Sequence, residues 1–328
     1  MIVVFGSLNM DLIMAVPALP RPGETVLCPS YSMQPGGKGN NQAVAAARAG
    51  ATLRLFGRVG ADDFGRALLA NLQANGIPDG DIRMAPSPTG CAAITVDRAG
   101  ENAITVASGA NLDVRADDVP DEALCAGGLM VAQMEVPAEE NWALLRRAKA
   151  AGMRTVLNLA PAPAPTAELA AVIRETVDIL VVNELEAAAL ASCLDGDAAS
   201  ADPATLCRRL SASLRVVSVM TLGGQGALAC DGERNWSVGT LPVAVVDTTG
   251  AGDTFTGALA AALDSGEPLP QALRWAGAAA ALACCGRGAQ DSMPQLERIR
   301  AAQADMPSAR ELATDAGIGG AVESGVSS

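Results

Sequence analysis

A glycine-rich turn followed by an acidic residue is the segment of this chain best suited to chemistry. Val243–Val246 is predicted as a strand, Gly250 and Gly252 as parts of a turn, and the Ala/Leu-rich residues after them as a helix. Glycines allow backbone N–H groups to point outward, and a helix N-terminus adds partial positive charge, so the turn is suited to bind a phosphate. Asp253 would face that phosphate, which favours a role as a proton acceptor. Helix capping is the alternative, and the spacing alone does not separate the two.

A second glycine-rich loop precedes another predicted helix. Residues 36–42 read Gly-Gly-Lys-Gly-Asn-Asn-Gln, and the helix is predicted over Asn40–Ala49. The loop contains Lys38, one of only two lysines in the chain, together with two asparagines. These hydrogen-bond donors favour a site for a polar ligand over a flexible connector.

Other glycine patterns do not support a nucleotide site of a different class. The chain has no G-x-x-x-x-G-K-[ST] motif, which excludes a P-loop enzyme. Residues 224–229 match G-x-G-x-x-A, but Asp231 and Gly232 turn the chain too soon for the helix of a dinucleotide site. An oxidoreductase of that kind is therefore disfavoured.

The complete absence of histidine limits the chemistry further. It removes Ser-His-Asp and Cys-His catalysis and every metal site built on imidazole. A general base must then be a carboxylate, a lysine, a cysteine or the single tyrosine, Tyr31. The eight cysteines include no C-x-x-C spacing, so neither a zinc site nor a redox pair is predicted.

The charge balance bears on partners and location. The 328 residues include 36 acidic and 23 basic side chains, a formal charge of −13, which predicts no nucleic-acid partner and no anionic membrane surface. The apolar run at the N-terminus has no basic region beside it, so a signal peptide is not expected. No run approaches the ~18–20 apolar residues of a membrane helix. We therefore expect a cytoplasmic protein whose cysteines are free thiols.

Short β-branched runs alternate with longer Ala/Leu-rich stretches along most of the chain. The runs predict strands at Ile2–Phe5, Leu53–Val59, Gly128–Gln133, Arg154–Leu159, Ile179–Val182 and Val216–Thr221. The stretches between them predict helices at Asn40–Ala49, Gly65–Asn75, Ala138–Ala151, Ala167–Thr176, Glu184–Ala191 and Pro203–Ala212. This alternation predicts an α/β fold, a doubly wound and mostly parallel sheet with helices on both faces. Ligands of such sheets bind beyond the carboxyl ends of the strands.

Two inserts interrupt the alternation. Residues 12–35 carry five prolines, and residues 90–106 predict a hairpin of Cys91–Val96 and Asn102–Val106. Together they predict a small β-sheet lid, with edge strands of the main sheet as the alternative. The α/β core would then comprise residues 1–11, 36–89 and 107–310, and residues 311–328 are predicted to be a loose tail.

With these motifs in place, the chain resembles the ribokinase-like (PfkB) carbohydrate kinases. The resemblance spans about residues 2–300 in the family's order. The matching segments are 6–11, 36–50, 60–65, 133–137, 157–163, 183–186, 221–226, 247–253 and 288–292.

The resemblance implies ATP-dependent phosphorylation of a sugar hydroxyl, with D-ribose as the expected acceptor and D-ribose 5-phosphate and ADP as the products. It makes Asp253 the base that takes the proton of the attacking hydroxyl, and Gly250, Ala251 and Gly252 the anion hole. The residues implied to bind the sugar are Asn9, Met10, Asp11, Gly37, Lys38, Gly39, Asn40, Asn41, Glu135 and Asp253.

The resemblance also implies ATP, Mg²⁺ and K⁺ as ligands, and a homodimer formed through the lid. The residues implied to contact the nucleotide and its Mg²⁺ are Asn183, Glu186, Thr221, Leu222, Gly223, Gly224, Gln225, Gly226, Gly252 and Gly277. A monovalent-cation site built largely from carbonyls is implied at Asp247, Thr249, Ala283, Gly286, Gly288 and Ser292.

Two departures from the family pattern bear on specificity. Met10 stands between Asn9 and Asp11, which leaves the identity of the sugar open, and Gly277 replaces a larger side chain near adenine. The alternatives are a kinase of another pentose, a ketohexose or a nucleoside on the same fold. A non-catalytic sugar or nucleotide sensor is disfavoured, because a sensor has no need of the base.

Overall fold

The computed structural model describes residues 1–194 and 202–313 and shows a mixed α/β fold. The strands are β1 Ile2–Phe5, β2 Asn9–Ala15, β3 Tyr31–Gly36, β4 Leu53–Gly60, β5 Ile82–Ala85, β6 Gly90–Val96, β7 Asn102–Ala107, β8 Leu129–Gln133, β9 Arg154–Asn158, β10 Ile179–Asn183, β11 Val217–Thr221, β12 Ala227–Cys230, β13 Asn235–Val238 and β14 Arg310–Leu312. The helices are α1 Lys38–Arg48, α2 Asp63–Ala74, α3 Ala138–Ala150, α4 Ala167–Thr176, α5 Glu184–Ser192, α6 Pro203–Leu214, α7 Ala251–Asp264, α8 Leu269–Ala283, α9 Ala289–Ser292 and α10 Leu296–Ala302.

The larger sheet has the strand order β14-β13-β12-β11-β10-β9-β8-β1-β4-β5. Its pairs from β5 to β11 are parallel, and the pairs from β11 to β14 are antiparallel. The chain places β4 on one side of β1 and β8 on the other, so the winding reverses between β1 and β8. A crevice at such a reversal is where open α/β sheets bind ligands.

Helices cover both faces of this sheet because its strands are apolar on both sides. In β1, Ile2 and Val4 belong to the core that includes α1, α7 and α8, whereas Val3 and Phe5 belong to the core that includes α3, α4 and α6. The prediction of a doubly wound sheet is confirmed, and each predicted strand and helix of the alternating pattern agrees with the structure to within two residues.

Helices α1 and α7 pack closely enough to bring the two glycine-rich segments together. A Cβ at Gly257 would lie 2.4 Å from the carbonyl oxygen of Gln42 and 2.7 Å from the side chain of Ala45. Only a glycine fits this contact, since real Cβ atoms do not approach other heavy atoms that closely. The close approach sets α1 beside the first turn of α7, where Asp253 lies.

The small sheet is separate from the large one, so the alternative of extra edge strands is wrong. Its order is β3-β2-β6-β7, and the predicted hairpin forms its β6–β7 half. Strand β2 begins at Asn9 and β3 ends at Gly36, so this sheet extends into segments that the sequence assigned to the core.

The structure differs from the sequence prediction at Val243–Val246, which is not a strand. Val245 and Val246 are exposed, and the N–H of Val246 donates to the carbonyl of Cys284 at 2.8 Å instead of to a neighbouring strand. The β-branched residues gave the right local signal, but a strand also needs a partner. The edge of β13 away from β12 is occupied by β14.

Strand β14 shows that the larger sheet continues to Leu312, two residues into the predicted tail. Residues 314–328, which form most of that predicted tail, lie outside the described residues.

Within residues 1–194 and 202–313, no helix combines the length and apolarity required to cross a membrane.

Candidate active site

Four adjacent parallel strands of the large sheet each end in a polar residue. These residues are Gln133 of β8, Asn158 of β9, Asn183 of β10 and Thr221 of β11. The register pairs Gln133 with Asn158 and Asn183 with Thr221, so these side chains line one edge of the sheet. A row of hydrogen-bonding groups at this edge forms the floor of the site.

The predicted anion loop lies over this edge at the start of α7. Gly250 is the N-cap residue, with φ 73° and ψ 3°, a left-handed conformation that favours glycine. No side chain caps the helix, and Ala251 N–H donates to the carbonyl of Thr248 at 3.2 Å. Among the described residues, the N–H groups of Gly250 and Gly252 have no partner, so these two, and not Ala251, are free for an anion.

Asp253 is buried in the first turn of α7, with 7% of its surface exposed. Its Oδ2 accepts a hydrogen bond from Asn41 Nδ2 at 3.0 Å, and its Oδ1 accepts one from Gln42 Nε2 at 3.0 Å. The carboxylate therefore faces α1 and does not cap its own helix. The capping interpretation of Asp253 is wrong.

Asp11 lies close enough to Glu135 for their charges to interact, and Asn9 shares a face of β2 with Asp11. Glu135 Oε2 accepts from Ser7 Oγ at 2.6 Å and from Lys38 N–H at 2.9 Å, which fixes the carboxylate at the start of α1. Burial, with the Glu135 and Asp253 carboxylates nearby, raises the pKa of Asp11 to about 7. The charge of Lys38 opposes this rise without cancelling it.

Asn9 is oriented by a neighbour that sequence reasoning did not single out. Asn111 Nδ2 donates to Asn9 Oδ1 at 2.7 Å, and Asn111 Oδ1 accepts from Leu8 N–H at 2.9 Å. Because its oxygen is engaged, Asn9 is left with its amide N–H groups as donors for a ligand.

Two of the predicted sugar-binding side chains lie elsewhere. Met10 points to the opposite face of β2 from Asn9 and Asp11 and belongs to the hydrophobic core, because side chains alternate along a strand. Asn40 is fully buried, and its Nδ2 donates to the carbonyl of Gly36 at 3.1 Å, so it holds the loop in place. Gly37 and Gly39 contribute backbone: Gly37 caps α1, and the N–H of Gly39 donates to Ser7 Oγ at 3.3 Å.

Lys38 lies among four carboxylates. The charge of Asp253 is the main cause that raises the pKa of Lys38; burial opposes it, and Glu135, Glu186 and Asp11 add to the rise. Its ammonium is therefore held as a cation. Lys38 and Asp253 also line the same cavity as Gly250 and Gly252, so a positive charge shares this cavity with the predicted anion loop.

A larger cavity of about 400 Å³ adjoins this one and shares Thr221 and Gly252 with it. Of the residues predicted to contact a nucleotide, Thr221, Gly223, Gly224, Gly226, Gly252 and Gly277 line it. Leu222 instead packs against the core beside α6, and Gln225 is exposed without lining the cavity. The sequence missed the apolar walls of this cavity, among them Leu241, Val243, Phe255 and Ala280.

Asn183 and Glu186 line the smaller cavity and form a reciprocal cap at the start of α5. Asn183 Oδ1 accepts from Glu186 N–H at 2.8 Å, and Glu186 Oε2 accepts from Asn183 N–H at 2.9 Å. Burial raises the pKa of Glu186, and the Asn183 N–H and the Lys38 charge oppose the rise. Glu186 Oε1 has no hydrogen-bond partner within residues 1–194 and 202–313, and the residue lines the cavity.

The residues of the predicted cation site come together from three segments. Asp247 Oδ1 accepts from the N–H and the hydroxyl of Thr249 at 2.9 and 2.6 Å, and Asp247 Oδ2 accepts from Gly288 N–H at 2.9 Å. Burial alone would raise the pKa of Asp247, but these hydrogen bonds outweigh it and hold the pKa below its ordinary value. A Cβ at Gly286 would lie 2.9 Å from the Cβ of Ser292, so those segments are also in contact.

Sequence reasoning missed several polar side chains that support the site. They are Ser7, Gln42, Asn111, Gln133, Asn158 and Gln290, all buried. Most of them stand within matched motifs or at strand ends, which was the available signal. Their partners are far away in sequence, so their hydrogen bonds could not be read from it.

Comparison with known proteins gives matches over nearly the whole chain. The family profile described as pfkB family carbohydrate kinase matches residues 1–296. The ribokinase of Bacillus subtilis is 38% identical over 308 residues, which cover 91% of this chain and 97% of that relative.

Solved structures agree with this match. The ribokinase of Thermotoga maritima superposes with a TM-score of 0.83 at 31% identity, covering 92% of this chain and 98% of that one. The ribokinase of Arabidopsis thaliana, solved in complex with ribose and ATP, superposes with a TM-score of 0.81 at 30% identity and the same coverage.

Proposed function

The chain belongs to the pfkB family of carbohydrate kinases, and on that premise we propose that it transfers the γ-phosphoryl group of ATP to D-ribose, with Asp253 as the general base. The proposal for the sugar rests on similarity to ribokinases, one of which was solved with ribose and ATP. The observation that supports the role of Asp253 is its place in the smaller cavity, next to the predicted anion loop. It lines that cavity together with Lys38, Gly250 and Gly252, and Asn41 Nδ2 donates to its carboxylate from α1.

The reaction places separate demands on separate groups of this chain. Asp253 accepts the proton of the attacking sugar hydroxyl as its oxygen bonds to the γ-phosphorus, and the bond from that phosphorus to ADP breaks. The N–H groups of Gly250 and Gly252 and the ammonium of Lys38 face the charge on the transferred group. Positioning and charge stabilisation of this kind account for most of the catalysis in phosphoryl transfer.

The sugar is expected between Asp11, Asn9 and Glu135. The carboxylates accept hydrogen bonds from hydroxyls, and Asn9 donates to them. A buried carboxylate rejects an analogue that lacks the matching hydroxyl, because its loss of water is then uncompensated.

The donor groups also fit the two expected cations. Mg²⁺ commonly binds through one or two carboxylates together with phosphates and water, and Glu186 offers such a carboxylate beside the anion loop. Bound with ATP, Mg²⁺ would neutralise part of the phosphate charge. A large monovalent ion such as K⁺ would be held by oxygens of Asp247, Thr249, Ala283, Gly286, Gly288 and Ser292.

A coupled assay of ADP release tests the proposal against its alternatives. D-Ribose, other pentoses, ketohexoses and nucleosides are offered one at a time with ATP. The highest kcat/KM is expected for D-ribose. Faster turnover of a nucleoside or ketohexose would replace the sugar and keep the reaction class, whereas binding without any ADP release would favour a sensor.

We also propose that the small sheet is a lid over the sugar and the contact between two copies of the chain. The face that carries Asp11 also carries Ile13, Ile94, Ile104 and Val106, as the strand register requires. Ile104 is 55% exposed, which suits an apolar surface that another molecule covers.

Sedimentation of wild type and Ile104→Lys tests the dimer. Met84→Lys is the matched control, because Met84 is 54% exposed but lies in β5 of the large sheet. Wild type and Met84→Lys are expected to sediment as dimers and Ile104→Lys as a monomer. A monomeric wild-type protein would contradict the proposed contact.

A further inference from the structure

A chain of buried amides stands behind Asp253. Asn158 Nδ2 donates to the carbonyl of Val181 at 3.3 Å, and Asn158 Oδ1 accepts from Gln42 Nε2 at 3.1 Å. The same nitrogen donates to Asp253 Oδ1 at 3.0 Å, and Gln42 Oε1 accepts from Gln133 Nε2 at 2.8 Å. These bonds join α1, α7 and the ends of β8 and β9.

The two ends of this series of amide side chains fix the direction of its hydrogen bonds. A backbone carbonyl and an ionised carboxylate only accept, so Asn158 must present its oxygen, and Gln42 its NH₂ group, to their partners. The two N–H bonds and the carbonyl oxygen of Gln42 are then all engaged. Gln42 has one orientation in which every polar atom is satisfied, and in it an N–H points at Asp253.

The fold keeps Gln133 in place at a cost. Gln42 and Gln133 are both fully buried, and Gln133 Oε1 has no hydrogen-bond partner in the described part of the chain. A Cβ at Gly6 would lie 2.0 Å from that oxygen, so a glycine makes room for the side chain. An apolar residue would satisfy the packing at lower cost, since a buried polar atom without a partner is unfavourable.

We propose that Gln42 is a positioning residue that aims the Asp253 carboxylate at the sugar hydroxyl, and that Gln133 acts only through Gln42. The inference rests on the proposed role of Asp253 as the base. Asn41 holds Oδ2 and Gln42 holds Oδ1, so the carboxylate plane is fixed from α1 while its remaining lone pairs border the cavity. Loss of the Gln42 bond frees the carboxylate to rotate away from the hydroxyl.

Steady-state kinetics of Gln42→Leu give the first test. A displacement of the base by a fraction of an ångström is expected to lower kcat by roughly 10- to 100-fold. The KM for ATP is expected to stay within about twofold, because the nucleotide cavity does not include Gln42. Unchanged kcat, or a rise in the KM for ATP that matches the fall in kcat, would overturn the proposal.

A double-mutant comparison tests the role of Gln133. Gln133 donates a hydrogen bond to Gln42 and not to Asp253. Gln133→Met is therefore expected to lower kcat by a smaller factor than Gln42→Leu does. The Gln42→Leu/Gln133→Met double variant is expected to be no slower than Gln42→Leu alone, because residues that act through one another are not additive. Multiplied losses would contradict the proposed order of action. If Gln42→Leu does not fold, wild-type kcat in Gln133→Met overturns the inference by itself.

Two further variants separate this inference from general destabilisation and from the proposed function. Thr176 is also fully buried, and Thr176→Val removes the hydrogen bond from its Oγ1 to the carbonyl of Val172 in α4. This variant is expected to lower Tm without changing kcat. Asp253→Asn tests the base itself. If Asp253→Asn is inactive and Gln42→Leu has the wild-type kcat, only the positioning role fails. If Asp253→Asn turns over normally, the proposed base fails first.

Discussion

Asn41 and Asp253, which stand 212 positions apart in the chain, are joined by a hydrogen bond of 3.0 Å between Nδ2 and Oδ2. The contact joins the two glycine-rich segments, one at the start of α1 and the other at the start of α7. It exists because Gly257 lets the two helices approach. Gln290 Nε2 in turn donates to Asn41 Oδ1 at 2.9 Å, so the hydrogen-bonded series extends from Asp253 to the segment of the expected cation site.

Asp253→Asn is expected to keep the fold and lower kcat by at least ~10²-fold, the lower range for loss of a general base. An amide of the same size fills the same space but cannot accept the proton. Initial rates at saturating sugar and ATP measure the effect. Asp264→Asn is the matched control, because Asp264 ends the same helix, pairs with the N-terminal amine and lines neither cavity of the candidate site. Comparable turnover of the two variants would contradict the assignment.

Much of the fold could be predicted from the sequence because its signals are local. The parallel strands are apolar on both faces and the helices between them are Ala/Leu-rich, so both kinds of element could be recognised from their own residues. The antiparallel edge of β12, β13 and β14 was missed, since short edge strands depend on their partners. The strand prediction for Val243–Val246 was wrong for the converse reason, because the segment has the composition of a strand but pairs with no strand in the described sheets.

The site was predictable where a motif supplies the chemistry and not where packing decides the direction of a side chain. Asp253 could be found because it follows the glycines of an anion loop. Met10 was wrongly grouped with Asn9 and Asp11, although strict alternation along β2 turns it into the core. Gln42 and Gln133 could not be assigned, since their role depends on a contact between helix α1 and the end of β8.

Turnover is expected to be faster in K⁺ than in tetramethylammonium at equal ionic strength. The Asp247 carboxylate links the segment before the anion loop to Gly288, and a large monovalent ion held there would fix the N–H groups of the loop. Initial rates in the two salts measure the effect, with Na⁺ as a smaller ion for comparison. Equal rates in all three would rule out a role for the ion.

Asp11→Ala is expected to raise the KM for D-ribose far more than the KM for ATP. Asp11 lies on the small sheet beside Asn9 and Glu135, whereas the nucleotide cavity is lined by other residues. The carboxylate is suited to accept hydrogen bonds from hydroxyls, and its loss leaves them unpaired. Kinetics with each substrate varied separately measure the split. Equal rises in both constants would place Asp11 outside the sugar site.

Asp11→Asn is expected to make the ligand-free protein more stable at pH 8, by a few degrees in Tm, and to have little effect near pH 4. Burial and the neighbouring carboxylates raise the pKa of Asp11 to about 7 in the folded protein, against 3.8 for the ordinary side chain. The folded state therefore holds the proton more tightly than the unfolded state, and stability falls as pH rises from about 4 to about 7. Asparagine has no charge to bury, so the variant escapes that loss.

Asp118→Asn is the control with the opposite sign. Burial would raise the pKa of Asp118, but hydrogen bonds from Arg58 and the N–H of Arg115, with the Arg58 and Arg83 charges, hold it below its ordinary value. Its ionised form stabilises the fold, so Asp118→Asn is expected to lower Tm at pH 8. Thermal unfolding of both variants at pH 8 and near pH 4 decides the matter. An Asp11→Asn variant less stable than wild type at pH 8 would mean that the ionised Asp11 carboxylate does not destabilise the folded protein.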